Sequence, residues 1–144
     1  MPKFPLQFKT TVQSSCAISE TWKISENGVQ APIHCALPLE FKGPGNAYTP
    51  EGLLGASLLS CIIGAFKLHC EKSQVSFGLL SGDTIIVMDK DTTNGLSITS
   101  IDIHFQIEQA SDPEKVKKIL ETTIKDCPVS KCLKTGKTFH IIVR

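Results

Sequence analysis

The longest run of apolar and small residues covers positions 53–68, and the residues before it are typical of a helix start. Thr49 can cap the first turn with its side-chain oxygen. Pro50 suits a first helical position, where no N–H donor is needed, and Glu51 favours the positive end of the helix dipole. Because the run is apolar on nearly every side, it predicts a buried central helix over residues 49–72. We expect this helix to be too short and too interrupted to span a membrane.

Alternation of apolar and polar residues predicts short strands before the central helix. One parity is mostly apolar across residues 8–18, and a second short strand begins at residues 22–24. Residues 26–28 form a turn signal of the hairpin type, and the third run, residues 29–39, contains two prolines that suit an edge strand. The chain therefore begins with a β-meander over residues 1–45, which is expected to complete a sheet with the C-terminal strands or with a second chain.

Strand patterns return after the central helix. Residues 75–88 alternate and then become β-branched, and residues 89–95 read as a polar loop that ends in Asn94-Gly95. Residues 96–108 form another strand, in which the apolar parity changes once. That change predicts a bulge near Thr99 or Ser100.

A second helix is predicted to begin at Asp112-Pro113-Glu114, with apolar residues at helical spacing and lysines on the opposite side. Cys127 continues the apolar stripe of this helix. Pro128 lacks a donor and restrains the residue before it, so the helix is expected to end there. A short turn over residues 129–133 then leads to a final strand over residues 139–143.

The order of strands, long helix, strands, helix and strand predicts an α+β fold with helices packed against antiparallel sheet. A chain of 144 residues is long enough for one domain with a substantial core. We therefore expect a single domain over residues 1–144, made of the N-terminal meander, the central helix, and residues 73–144 with the remaining strands and the second helix.

Composition narrows the possible functions. The chain has 15 basic and 14 acidic residues, which gives no electrostatic reason to bind nucleic acid or an acidic membrane surface. The N-terminus has no secretory pattern, so a reducing cytoplasm is expected and the six cysteines are predicted to be mostly free thiols. The four histidines show no metal-ligand spacing, and no metal or other cofactor is expected.

Three stretches carry a resemblance to a known family. They are Thr49-Pro-Glu-Gly-Leu-Leu with Cys61 downstream, Ile98-Thr-Ser-Ile-Asp-Ile, and Asp112-Pro-Glu-Lys followed by Asp126-Cys127-Pro-Val-Ser-Lys. In this order and spacing the chain resembles the OsmC/Ohr family, the osmotically induced and organic hydroperoxide resistance proteins. The resemblance covers residues 43–144.

This resemblance implies a fold, a reaction and partners. The fold would be an OsmC-like intertwined homodimer with the two central helices at its centre. The activity would be that of an antioxidant thiol peroxidase of the stress response. Cys61 would attack an organic hydroperoxide, and Cys127 would resolve the resulting sulfenic acid as a disulfide. A dithiol or lipoyl reductant would then regenerate the enzyme.

One element of the family pattern is missing. The family pairs the glutamate that Glu51 matches with an arginine that activates the nucleophile, but residues 1–143 contain no arginine. Arg144, at the end of the chain, is a poor substitute. The candidate replacements are Lys42 and His34, although a lysine lacks the planar fork of a guanidinium.

The missing arginine supports a second hypothesis, a non-peroxidase member of the family that binds an apolar ligand or senses redox state. Other residues have plainer interpretations. Cys16 is expected in the core, Cys35 could line a pocket with His34, Cys70 is structural, Cys132 could compete with Cys127, and His104 is a solvated strand histidine.

Overall fold

The computed structural model describes residues 3–93 and 95–144. Its strands and helices follow in the order β1 (Thr10–Gln13), β2 (Trp22–Glu26), β3 (Ile33–Cys35), a 3₁₀ turn (Leu39–Phe41), α1 (Pro50–Lys72), β4 (Leu79–Asp91), β5 (Gly95–Glu108), α2 (Pro113–Asp126), α3 (Pro128–Cys132) and β6 (Lys137–Val143). The chain divides into two compact units, Met1–Leu53 and Leu54–Arg144. The fold is α+β, as predicted. That it forms one domain stays a prediction.

The first unit contains the predicted β-meander. β1, β2 and β3 form a three-stranded antiparallel sheet, in which Ile24 lies opposite both Val12 and Ile33. β1 is shorter than the predicted strand over residues 8–18, and all four of its residues are exposed. The expectation that Cys16 belongs to the core is wrong. It follows the end of β1 and is exposed, because an alternating pattern identifies a strand face without showing what covers it.

The second unit contains a three-stranded sheet in the order β4-β5-β6. β4 and β5 form a long antiparallel hairpin, whose register shifts so that Thr99 has no cross-strand partner. The predicted bulge is therefore confirmed. The connecting loop is shorter than the predicted residues 89–95, because β4 continues to Asp91 and β5 begins at Gly95. Asn94, part of the predicted turn, lies outside the described residues.

β6 pairs with β5 in parallel, with Ile103 opposite Phe139. The prediction of a purely antiparallel arrangement is wrong for this pair. The reason is the connection, since α2 and α3 carry the chain back along the sheet before β6 begins. A helical crossover of this kind places two strands parallel.

α1 confirms the predicted central helix and its cap, since the backbone N–H of Gly52 donates to Thr49 Oγ1 at 3.1 Å. The burial of α1 differs from the prediction of a helix that is buried on nearly every side. Within one chain, the buried residues form a single stripe, which consists of Gly55, Leu58, Ile62, Phe66 and Cys70. The opposite face of the helix, although rich in small and apolar residues, remains exposed.

The length of α1 also differs from the prediction that this helix is too short to span a membrane. The helix has 23 residues with a mean hydropathy of 1.7 in its most apolar window, so by length and composition it could cross a membrane. The core helix of a soluble protein meets the same criterion. Length therefore does not exclude a span, contrary to the sequence-based prediction.

The core of the second unit lies between its sheet and its helices. Ile101, Ile103, Phe105 and Ile107 of β5 are buried, together with the α1 stripe and the apolar face of α2. α2 begins where predicted, with the Asp112 carboxylate accepting the backbone N–H of Lys115 at 3.1 Å. The segment predicted as a turn after Pro128 is the short helix α3.

Candidate active site

The two cysteines singled out by the resemblance lie side by side in the second unit. Cys61 is on α1, and Cys127 is the residue between α2 and α3. Their sulfur atoms are 3.0 Å apart, and the Cys127 thiol donates to Cys61 Sγ. Residues far apart in sequence are thus brought to within reach of disulfide formation.

The backbone around Cys127 explains its fixed position. Pro128 cannot continue the hydrogen bonding of α2 but is favourable in the first turn of α3. Cys127 therefore adopts an extended conformation (φ −60°, ψ 119°), and its sulfur accepts the backbone N–H of Ser130 at 3.4 Å. The side chain is held by one hydrogen bond from α3 and one to α1.

The two thiols differ in exposure. Cys127 is buried, whereas Cys61 is half-buried, so a reagent in solvent can reach Cys61 more readily. Apolar side chains surround the pair, because Cys127 belongs to the buried core and Cys61 packs against it. This is an apolar site with one accessible sulfur.

Burial raises the pKa of the Cys127 thiol, and its hydrogen bond with Cys61 raises it further, while the N–H of Ser130 opposes both effects. The raised pKa favours the protonated form of Cys127, which agrees with its thiol acting as the donor to Cys61.

Glu51 lies in the first turn of α1, in the other compact unit. One of its carboxylate oxygens, Oε2, is buried and has no hydrogen-bond partner among the described residues. Leaving a buried carboxylate oxygen without a donor is costly.

The two candidate replacements for the missing arginine do not occupy that place. His34 is exposed on β3, and Lys42 is exposed at the end of the 3₁₀ turn with a left-handed backbone (φ 62°). Within residues 3–93 and 95–144, neither forms an ion pair with Glu51. Arg144 pairs through its backbone with Ile107 and Ala110.

The other cysteines are separate from the pair. Cys35 and Cys70 are buried, and burial raises the pKa of each thiol. Cys132 is exposed and donates to the carbonyl of Val129 at 3.0 Å, so it does not bond to Cys127.

Sequence reasoning missed one polar cluster. His104 has a ring centroid 4.6 Å from that of His140, and its Nδ1 lies 3.5 Å from Asp83 Oδ1. These side chains come together only through the pairing register of β4, β5 and β6, which local sequence patterns do not reveal. Among the residues described, no three or more His, Cys, Asp or Glu side chains together form a metal-binding group.

A comparison with protein families identifies the chain. The family model for OsmC-like proteins matches residues 43–141, which include α1, both cysteines of the pair and most of β6. The chain belongs to the OsmC-like protein family. The resemblance seen in the sequence is confirmed.

Curated relatives agree with this membership. Organic hydroperoxide resistance protein-like 1 of Staphylococcus epidermidis is 29% identical over 87 residues, which cover 60% of this chain and 62% of the relative. The match thus spans less than two thirds of the relative's length.

Solved structures of the OsmC-like family share the fold. An OsmC-like protein of unknown function from Vibrio cholerae superposes with a TM-score of 0.81 at 16% identity, over 96% of this chain and 100% of that chain. An organic hydroperoxide resistance protein from Legionella pneumophila superposes with a TM-score of 0.75 at 16% identity, over 98% of both chains. At these identities the likeness establishes the fold alone.

Proposed function

We propose that this OsmC-like protein is a thiol-dependent peroxidase that reduces organic hydroperoxides, with Cys61 as nucleophile and Cys127 as resolving thiol. The observation that carries the proposal is the 3.0 Å distance between the two sulfurs, one half-buried and one buried. The curated relative named for organic hydroperoxide resistance supports the choice of substrate class.

The first step is attack by the Cys61 thiolate on one oxygen of the hydroperoxide. The O–O bond breaks, the terminal OH group stays on Cys61 as a sulfenic acid, and the other oxygen leaves as an alkoxide that takes a proton from water to become an alcohol. Cys61 is assigned this step because it is the more exposed sulfur and because it accepts the hydrogen bond that the Cys127 thiol donates.

The second step joins the two cysteines. The Cys127 sulfur attacks the sulfenic sulfur, a disulfide forms, and water leaves. The sulfurs need to approach by about 1 Å to reach a bond length near 2.05 Å. Disulfide formation protects Cys61 from irreversible oxidation, and a dithiol such as a reduced lipoyl group restores both thiols by exchange.

Activation of Cys61 is the demanding part of this proposal. Burial among apolar side chains disfavours a thiolate, so a donor or cation is needed. The thiol of Cys127 donates one hydrogen bond to Cys61. In the proposed mechanism Glu51 orients that cation. Lys42 and His34 are the candidates for that cation, and a homodimer partner is the other possible source.

One observation favours the second function, a non-peroxidase redox sensor or binding protein. Among residues 3–93 and 95–144, no donor reaches the buried Oε2 of Glu51, as expected if the activating cation has been lost from this chain. In that case the thiol pair would oxidise slowly, and the apolar surroundings of Cys61 would hold a ligand.

Consumption of cumene hydroperoxide by the reduced protein, with dithiothreitol as the regenerating dithiol, separates the two functions. We expect saturable turnover in the native chain, faster with cumene hydroperoxide than with hydrogen peroxide. Cys61→Ser should lower the rate by at least about 100-fold, because no other sulfur replaces the nucleophile.

Cys132→Ser is the matched control, since it removes an exposed thiol five residues after Cys127 and should leave the rate unchanged. Equal rates for native protein and Cys61→Ser would refute the peroxidase assignment. Lys42→Ala and His34→Ala then test which cation serves Cys61.

A further inference from the structure

Three polar side chains form a row across the sheet of the second unit. Asp83 of β4 lies opposite His104 of β5, which lies opposite His140 of β6. The neighbours of His104 along β5, Ile103 and Phe105, point into the core, so His104 points away from it. The row therefore lies on the outer face of the sheet, away from the Cys61–Cys127 pair in the core.

The two imidazole rings are spaced as ligands of one ion would be. A metal–nitrogen bond of about 2.0–2.1 Å places a ring centroid about 3.2 Å from the ion, so two ligands put their centroids about 5.2 Å apart at the tetrahedral angle of zinc and about 4.5 Å apart at 90°. The centroids of His104 and His140 are 4.6 Å apart, and their planes are nearly perpendicular at 83°. Binding one ion requires the rings to turn about χ2, a broad torsion, so that one nitrogen of each faces a common point.

Asp83 is placed to orient the first ligand. Its Oδ1 lies 3.5 Å from His104 Nδ1, so a proton on Nδ1 would face this carboxylate and leave Nε2 free to bind a metal. A carboxylate that holds the second nitrogen of a histidine in this way is a common feature of metal sites. Since the carboxylate is a positioning group, only two protein ligands meet the ion and water completes its coordination.

We propose that His104 and His140 form a surface site for a divalent transition metal ion of the borderline class, such as Zn²⁺, with Asp83 as the positioning residue. Neutral imidazoles select this class over magnesium and calcium, which prefer oxygen ligands. Both rings and the Asp83 carboxylate are substantially exposed, so a hydrated ion reaches them without any opening of the fold. The site does not depend on peroxidase activity.

The test is a zinc titration of the full-length chain, followed through the ring nitrogens of ¹⁵N-labelled histidine by NMR. Exposed thiols compete for zinc, so the protein carries Cys16→Ser and Cys132→Ser. We expect one ring nitrogen of His104 and one of His140 to shift together and saturate. The other two histidines, His34 and His69, serve as internal references within the same sample.

Variants identify the ligands. His104→Ala and His140→Ala should each abolish the saturable shift of the remaining ring. Asp83→Ala should weaken zinc binding by about 10-fold or more. Asp102→Ala is the control for lost charge, because Asp102 lies on the same face of β5 and, in the part of the chain that the structure describes, forms no ion pair with His104; it should leave the affinity nearly unchanged.

Three results would each overturn the proposal. The rings of His104 and His140 could fail to shift at zinc concentrations that saturate the thiols, or one ring could respond undiminished when the other is removed. Magnesium could also produce the same shifts. Each result would mean that the two rings make an edge contact without sharing an ion.

Discussion

Cys127 is the residue on which the proposed peroxidase chemistry of the thiol pair depends. It lies between two helices, is buried, and donates a hydrogen bond to Cys61. In the proposed cycle, the raised pKa of Cys127 keeps it a thiol until a sulfenic acid has formed on Cys61, and Cys127 then becomes the attacking group.

Without Cys127, the Cys61 sulfenic acid should be oxidised irreversibly instead of forming a disulfide. In Cys127→Ser we expect the first oxidation of Cys61 within about a factor of 10 of the native rate, followed by sulfinic acid instead of a disulfide. Intact mass after peroxide treatment measures this as a gain of two oxygens. Cys132→Ser should still form the Cys61–Cys127 disulfide. Sulfinic acid in both variants would exclude Cys127 as the resolving thiol.

Buried thiols also predict a pH dependence of stability. Burial raises the pKa of Cys70 in the folded chain, so above about pH 8.5 the unfolded chain releases this proton first and gains stability relative to the fold. The contribution of Cys70 is therefore fully present at lower pH and is lost as pH rises through its folded pKa.

Denaturant unfolding between pH 7 and pH 10 checks this linkage. Cys70→Ala should reduce the fall in unfolding free energy by up to about 1.4 kcal/mol per pH unit. Ile62→Val, on the same buried stripe, costs about 0.5–1.5 kcal/mol without removing a titrating group and should keep the native slope. Identical slopes for native protein and Cys70→Ala would contradict the linkage.

The sequence indicated some residues of the site better than others. Cys61 and Cys127 were found through the family resemblance, whereas periodicity alone makes either one a small apolar residue. His104 was correctly placed on the polar face of its strand, but its approach to His140 was not predicted. That approach depends on the register between β5 and β6, which is set by long-range packing.

At the level of elements, the most reliable features were those with local signals. The caps of α1 and α2 and the bulge at Thr99 were predicted because each depends on a few adjacent residues. The direction of β6 was not predicted, because its parallel pairing with β5 results from the crossover through α2 and α3. The exposure of β1 was also missed, since alternation does not reveal the covering layer.

The N-cap of α2 offers a direct stability test. Asp112→Ala removes the side-chain acceptor for the backbone N–H of Lys115 and should lower the unfolding free energy by about 1 kcal/mol. Asp126→Ala removes the same group from the other end of α2 and breaks only an exposed ion pair with Lys131. We expect that control to change stability by less than about 0.5 kcal/mol, and equal losses would argue against a capping role.

At the level of the whole molecule, the exposed face of α1 needs a partner. One stripe of the helix is buried, and the opposite face, which includes Gly64 and Leu68, is exposed although it is largely apolar or small. Such a face on a single chain favours association. We therefore expect the homodimer that the family resemblance implies, with α1 facing its copy.

Light scattering with size exclusion should give twice the 15.7 kDa mass of one chain. Gly64→Leu tests the interface, because a Cβ at Gly64 meets nothing within 4 Å in one chain but would obstruct a closely packed second helix. We expect this variant to weaken the dimer at least about 10-fold while the helical signal is retained. A native chain that remains a folded monomer at high concentration would contradict the dimer.

The central claim is that Cys61 reacts with organic hydroperoxide and passes its oxidation to Cys127. Its most direct test is stopped-flow measurement of Cys61 oxidation by cumene hydroperoxide at neutral pH, followed by mass spectrometric mapping of the product. We predict oxidation at least about 100-fold faster than that of free cysteine, ending in a Cys61–Cys127 disulfide. Oxidation no faster than that of free cysteine, or a disulfide that excludes Cys127, would contradict the claim.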